Sequence, residues 1–304
     1  MSSQAICVRV CPEAERAVAL KQLHDGLSPE QQPALVQAID SSQGESGFSG
    51  LFVVSSGKEP QAVLWVQQTP GKTAVVWPPD QTHFAARELM RAIPPFLDQQ
   101  QVALAQLLVH PDAPCDIDLL ESAQLHHLAT LAYLVVERSH LPSSGATMNA
   151  DSPLEFEPRA EESPERLGPL LERTYQGSLD CPTLDGVRDY PDVLEGYAAQ
   201  GQADSRCWFF VRYQAQDVGA LLLAEYPDAS TWELIYMGIL PSVRGQGFGW
   251  QIVQHALWQA SQRGAERVVL AVDEANHPAL AMYRRAGFVP WDRRKVYARL
   301  KPAL

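Results

Sequence analysis

An α/β fold built on a mixed sheet, laid out as two consecutive domains of similar plan, is the architecture this sequence predicts. Three observations carry that reading. The chain has 304 residues, longer than one ordinary compact domain, and 46% of them are hydrophobic, enough for more than one core. Residues 139–153 are rich in Ser, Pro, Gly and Asn, have no hydrophobic periodicity and read as a linker. On either side, residues 1–138 and 154–304 each have the length of a domain, with strand-like and helix-like runs in alternation.

In the second half, apolar runs at Cys207 to Tyr213, Val218 to Glu225, Leu234 to Ile239 and Arg267 to Val272 read as strands. Between the last two, Ile252, Val253, Ala256, Leu257 and Ala260 recur at helical spacing, and Gly264 ends that helix. A second helix, Pro278 to Ala286, has Pro at an early helical position and Gly287 just past its end, the usual asymmetry of helix termini.

The first half repeats this order. One gapless register sets Pro78 on Pro241, the strand Ala74 to Trp77 on the Tyr236–Leu240 stretch, the helix Phe84 to Leu97 on the helix after Gly247, and Ala105 to Val109 on Val268 to Val272. Leu119 to Leu125 falls on Met282 to Phe288. Identity between the halves is low, so the element order carries the inference of duplication; coincidence of two α/β patterns is the competing explanation.

Charge and cysteine usage exclude several functions. A formal net charge of −12 disfavours nucleic acid and anionic membranes as partners, although Arg284, Arg285, Arg293, Arg294 and Lys295 form a local basic group. No run approaches 18 apolar residues and the N-terminus lacks a basic-then-apolar leader, so an unanchored cytoplasmic protein is expected. Cys7, Cys11, Cys115, Cys181 and Cys207 are scattered with no C-x-x-C pair, and reduced thiols are expected. The adjacent His126 and His127 point to different faces of any regular element, and no metal is assigned.

The chemistry is concentrated after the strand ending at Ile239. Leu240-Pro241-Ser242-Val243 leads into Arg244-Gly245-Gln246-Gly247-Phe248-Gly249 and then an amphipathic helix. Glycines permit positive φ and close backbone approach, and the free N–H groups of a helix start face whatever binds there, so this is an anion site. Arg244 adds positive charge. A Walker loop would need Gly-Lys-Ser/Thr, and a dinucleotide fingerprint G-x-G-x-x-G rather than the G-x-G-x-G found. A tight turn with only a structural role is the remaining alternative.

These residues resemble the GNAT superfamily of N-acetyltransferases, whose pyrophosphate loop Arg/Gln-x-x-Gly-x-Gly/Ala is met by Arg244, Gly247 and Gly249. The resemblance extends over most of residues 153–304 and includes the later block Asn276, Ala279, Tyr283, Gly287 and Phe288. It implies two tandem GNAT-like domains, with acetyl-CoA as cosubstrate along the strand that ends at Ile239. Its pantetheine would meet the backbone of Met237, Gly238 and Ile239, and its pyrophosphate the loop Arg244 to Gly249. The strand Arg267 to Val272 would splay away, and Asn276 and Ala279 would line the cofactor site, with helix capping an equal reading for Asn276. The span from Glu233 to Ile239 is roughly 20 Å at about 3.3 Å per residue, so the thioester would sit near Glu233.

Direct acyl transfer to a primary amine, from a small molecule or a peptide, needs a neutral nucleophile and a protonated leaving thiolate. Deprotonating a lysine-like amine at pH 7 costs roughly 4.6 kcal/mol, an α-amino group about 1.4. Glu233 is the candidate base, at the start of an otherwise apolar strand where burial raises its pKa; an exposed strand-end carboxylate is the alternative. Tyr283 is the candidate acid, with core packing as its alternative. A non-catalytic acyl-CoA sensor or interaction module is the competing function, and nothing in it would require Glu233 and Tyr283.

Under the internal register Gln81, Thr82, His83, Phe84, Ala85 and Ala86 replace the glycine loop, Pro70 replaces Glu233, Ala113 replaces Asn276 and Leu120 replaces Tyr283. The N-terminal copy is therefore expected to be degenerate and without cofactor. A tandem arrangement with one degraded copy is similar to the mycothiol synthase branch of the superfamily, where a Glu and a Tyr at the matching positions serve as base and acid. The segment Tyr175 to Pro182 falls where the family builds its acceptor wall. Asp180 there is a candidate for a substrate ammonium, with a plain surface loop as the alternative, and Cys181 is not read as a nucleophile.

Overall fold

A computed structural model describes all residues except 1–6, 43, 45, 57–58, 144–151, 160–163, 203–206 and 302–304. Residues 144–151 of the expected linker thus lie outside the described residues. The chain divides into two compact units, residues 1–128 with 296–304, and residues 129–295.

In the first unit, β1 (Val8–Val10), β2 (Leu51–Ser56), β3 (Glu59–Thr69), β4 (Thr73–Trp77) and β5 (Leu104–Val109) are neighbours in that order, antiparallel except for the parallel β4–β5 pair. Helices α1 (Glu13–Gly26) and α2 (Gln32–Ser41) cover one core, where Trp65 stacks on Phe48 at 5.3 Å and on Trp77 at 6.4 Å. The other core lies under α3 (Ala86–Arg91), α4 (Ile93–Gln99) and α5 (Ile117–Ser122).

One helix was expected from Phe84 to Leu97, and two are found. Pro94 and Pro95 have no N–H to return to the carbonyls of Met90 and Arg91, so the ladder breaks at Ala92, between α3 and α4. The loop before α3 closes on itself: Thr82 N–H donates to Asp80 Oδ1 at 2.9 Å, and Ala85 N–H to His83 Nδ1 at 3.2 Å. Phe84, at the register position of Gly247, is 67% exposed.

In the second unit, β6 (His126–Glu137, from Ala129 on) lies between β11 (Arg267–Asp273) and β12 (Val289–Leu300, up to Lys295). The order continues through β10 (Thr231–Ile239), β9 (Gln216–Tyr226) and β8 (Trp208–Tyr213) to β7 (Leu154–Pro158). Helices α8 (Phe248–Gln262) and α9 (His277–Arg285) cover one face with Trp232, Leu234, Leu270 and Phe288. Helix α6 (Pro164–Tyr175) covers Trp208, Phe210 and Leu222 on the other, with α7 (Tyr190–Ala198) packed against it.

The division differs from the boundaries expected from the linker. Each unit takes a strand from the other half of the sequence: β6 from Ala129 belongs to the second unit, paired antiparallel with β11 over Arg267↔Glu137 to Asp273↔Leu131, and Val296 onward belongs to the first. There Arg299 donates to Asp98 at 2.7 Å and to Gln124 at 3.0 Å, buried in the first unit's own packing. Strand pairing between residues more than a hundred positions apart leaves no local signal, so composition alone marks the break elsewhere.

Candidate active site

β10 and β11 are parallel partners for only three residues, Thr231 to Glu233 against Arg267 to Val269. Beyond that point β10 stays with β9 as far as Ile239↔Gly219, while β11 stays with β6 as far as Asp273↔Leu131. The register with β9 shifts between Leu234 and Tyr236, a bulge that bends β10. From Leu234 to Ile239, β10 therefore presents backbone polar groups to an open cleft, which is the expected splay. Glu233 stands at its apex, the third residue of a strand that begins at Thr231 rather than its first residue.

At the wide end of the cleft α8 begins at the N-cap Gly247, φ 77°, with no side chain capping it, so its first N–H groups are left for a ligand. A Cβ on Gly247 would meet nothing within 4 Å; positive φ, not crowding, is what asks for glycine there. Gly249 differs: a Cβ would lie 3.0 Å from Met282 Sδ, so this glycine serves the packing of α8 on α9. Gln246 is exposed, whereas Phe248 is buried in the core beside Tyr213 and offers the loop only its N–H.

Arg244 is more constrained than its place in the loop suggests. Its guanidinium donates to Ile239 O at 3.3 Å, Gly177 O at 2.8 Å and Thr174 O at 2.9 Å, bridging the end of β10 to the end of α6. Met237 and Ile239 point toward the α8 core. Gly238 lies on the opposite face, where a Cβ would run into the Tyr236 hydroxyl. That hydroxyl pairs with Thr174 Oγ1 at 2.6 Å; Thr174 already donates to Leu171 O, so Tyr236 is the donor. Tyr175 and Tyr197 hydroxyls meet at 2.5 Å beside the same ring.

Trp232 and Leu234 belong to the α8 core, so Glu233 projects from the opposite face of the strand. Burial pushes its carboxyl above the ordinary range, opposed by a hydrogen bond from the Tyr226 hydroxyl to Oε2 at 2.7 Å. The same withdrawal from water raises Tyr226, which stays a donor. On this face Ala271 is exposed, and its register partner Tyr133, pushed up to about 12 mainly by burial, stands edge-on to Trp291 at 6.0 Å.

Tyr283 on α9 is buried, edge-on to Phe288 at 5.6 Å; burial, then the Asp180 charge, raises its pKa well above a free phenol. Asp180 is exposed, yet its Oδ1 accepts from Asp273 N–H at 2.8 Å, and loss of water around the carboxylate raises it. Asp273 in turn accepts from Cys181 N–H at 3.3 Å. The Asp180 carboxylate is thus used to clasp its loop to the end of β11. Asn276 Oδ1 accepts from Ala279 N–H at 3.3 Å, capping α9, and its side chain also bonds Asp180. Burial pushes the Cys181 thiol up to about 12, which keeps it protonated.

Tyr226, Tyr133, Tyr236 and Thr174 were not found by reading the sequence. Only Tyr226 left a trace there, seven residues before Glu233 across a Pro-containing turn. Among the described residues no group of His, Cys, Asp and Glu could hold a metal ion, and no helix is long and apolar enough to cross a membrane.

A mixed sheet whose parallel pair parts beside a helix start that no side chain caps defines a class: an α/β protein with the parting of two parallel strands opening onto a helix N-terminus. The acetyltransferase (GNAT) family matches residues 171–288, the segment that holds the parting of β10 from β11. Mycothiol acetyltransferases are among the curated proteins to which the chain is similar: that of Beutenbergia cavernae is 39% identical over 75 residues, and that of Thermobifida fusca 35% over 127. These matches span 25% and 38% of the relatives' length, and 24% and 41% of this chain. That of Corynebacterium aurimucosum is similar along 90% of both chains at 22% identity. Among solved structures, a GCN5-related N-acetyltransferase from Sphaerobacter thermophilus superposes with a TM-score of 0.64 at 16% identity, covering 98% of this chain and 97% of that one. A tandem GNAT protein of the clavulanic acid biosynthesis pathway superposes with 0.50 at 13% identity, covering 98% and 100%. The likeness to both supports a two-domain GNAT fold for this chain.

Proposed function

We propose that the protein is an acetyl-CoA-dependent N-acetyltransferase acting by direct attack of a primary amine, with Glu233 as base and Tyr283 as acid. The observation that carries this reading is the parting of β10 from β11 at Glu233, with the uncapped start of α8 at the far end of the same cleft. Gly245, Gln246, Gly247, Phe248 and Gly249 would hold the anionic end of a thioester donor bound there, and Glu233 would serve its acyl end.

The residues fit such a donor. The α8 start presents N–H groups with positive dipole to an anion, and the free edge of β10 at Met237, Gly238 and Ile239 offers amide partners for pantetheine. When bound, acetyl-CoA supplies the activated acyl group. Glu233, held by Tyr226, takes the proton from the incoming ammonium directly or through one water. Tyr283, kept protonated by burial, would supply the proton or hydrogen bond that the departing thiolate needs. Arg244 braces the loop, and Asn276 and Ala279 fix the start of the helix that carries Tyr283. The first unit, whose loop N–H groups are used by Asp80 and His83, is inferred to bind no cofactor.

The curated relatives' name makes the desacetylated mycothiol amine the first acceptor to try. Calorimetric titration of acetyl-CoA into wild type and Gly247→Phe tests the reading, since the variant copies the first unit's residue. One site per chain, abolished in the variant, is expected, followed by amine-dependent thiol release. Absence of binding to wild type would sink the transferase reading; binding without thiol release across an amine panel would favour an acyl-CoA sensor.

A further inference from the structure

We infer that Arg244 is a positioning residue that couples the anion loop to the acceptor side of the cleft, so that occupation of the loop orders the segment Thr174 to Asp180. The inference rests on the functional reading above. It stands on where the guanidinium is used: on carbonyls from two separate pieces of chain rather than turned out toward a ligand.

Three donors are engaged. Nε donates to Ile239 O, the last residue of the cofactor strand. Nη2 and Nη1 donate to Thr174 O in the last turn of α6 and to Gly177 O just beyond it. The last carbonyls of a helix have no partner within it and carry the negative end of its dipole, so a planar cation there satisfies both at once. Gly177 has φ +62°, and its Cβ position would be 3.4 Å from Arg244 Nη1. The guanidinium is thus the C-terminal cap of α6, supplied from the anion loop.

Past Gly177 the chain turns into Ser178 and reaches Asp180, whose carboxylate accepts from Asp273 N–H at the end of β11. The segment 174–180 is therefore pinned by Arg244 on the β10 side and by Asp273 on the β11 side, and it borders the face from which Glu233 projects. Movement of the loop onto a diphosphate has to pass through the guanidinium into this segment. A lysine keeps the charge but, as a single point donor, cannot hold three carbonyls in fixed directions.

Hydrogen exchange on the full-length protein, with coenzyme A as the probe, tests this. In wild type the amides of residues 174–180 should exchange more slowly on adding coenzyme A. In Arg244→Gln the free protein should exchange there roughly tenfold faster, the loss of one or more charge-assisted bonds, and coenzyme A should no longer slow it. Arg244→Lys should behave like Arg244→Gln, and it carries the comparison if the glutamine variant does not fold. Weaker coenzyme A binding with unchanged exchange at 174–180, or restoration by lysine, would make Arg244 a diphosphate ligand alone and overturn the coupling. Failure of wild type to bind coenzyme A at all would overturn the functional reading and the coupling together, whereas binding with no change at 174–180 overturns the coupling only.

Discussion

The Tyr226 hydroxyl donates to Glu233 Oε2 at 2.7 Å across the turn that joins β9 to β10. Burial raises the carboxyl, and this bond, which favours its ionised form, lowers it. A base works deprotonated, so kcat/KM should rise with pH through the Glu233 titration, above the ordinary carboxylate range. Tyr226→Phe removes the lowering contribution, and the acid limb of the profile should move to higher pH. A limb that stays in place, or moves down, would separate Tyr226 from the base.

Glu233→Gln should lower kcat by about 10²–10⁴-fold, the usual span for a general base. The folded-state pKa is raised, so the folded protein holds this proton more tightly than the unfolded chain, and the ionised group opposes folding above its folded pKa. The same variant should therefore melt at a higher temperature than wild type at neutral pH, with the difference vanishing in acid. Thermal unfolding at two pH values reads both signs.

Tyr283→Phe should reduce kcat by about 10²-fold and leave acetyl-CoA affinity within a few-fold, since the hydroxyl acts on the leaving sulfur and the ring keeps its packing on Phe288. Because burial holds the phenol protonated well past neutrality, no basic limb from Tyr283 is expected in the wild-type profile up to pH 10. Steady-state kinetics with calorimetry checks the split.

The two loop glycines should answer differently to alanine. Gly247→Ala places a side chain at φ 77° in open space and should cost about 1–2 kcal/mol of stability through backbone strain. Gly249→Ala meets Met282 Sδ, the bendable part of a flexible side chain, and should cost under about 1 kcal/mol. Denaturant unfolding of the two variants orders them.

His255 is buried on α8, its ring stacked on Phe156 at 3.7 Å and edge-on to Phe209 at 5.0 Å. Burial takes its pKa from 6.5 down to about 4. A histidine held neutral in the fold contributes stability that is present above pH 6.5 and is lost as pH falls toward 4, about 3 kcal/mol over the whole window. Unfolding free energies measured between pH 7.5 and 4 should show that slope, and His255→Leu should flatten it whatever its effect at neutral pH.

Much of the second unit was legible without coordinates, because its signals are local. The strands at Trp208–Tyr213, Gln216–Tyr226 and Arg267–Asp273 and the helices α8 and α9 follow from hydrophobic period and from glycine and proline at their ends. The glycine loop before α8 was legible for the same reason: three glycines between a strand and a helix have few structural uses. In the first unit the register foretold β4, β5 and α5, and it failed at the helix over 84–97, where Pro94 and Pro95 were overlooked as a break.

The tertiary structure alone decided which residues meet. Strand pairing is non-local, so nothing in the composition of residues 129–137 says that they pair with 267–273, and the domain boundary read from the linker missed the exchange of β6 and β12. Side-chain direction depends on a bulge and a hairpin register that no periodicity announces; these turn Tyr226 onto Glu233 and Tyr236 over Gly238. Arg244 and Asp180 were read from the sequence as polar groups of a site; in the fold their hydrogen bonds are used on backbone brought close only by folding. Local pattern determined the elements and the loop; packing between distant segments determined the cleft.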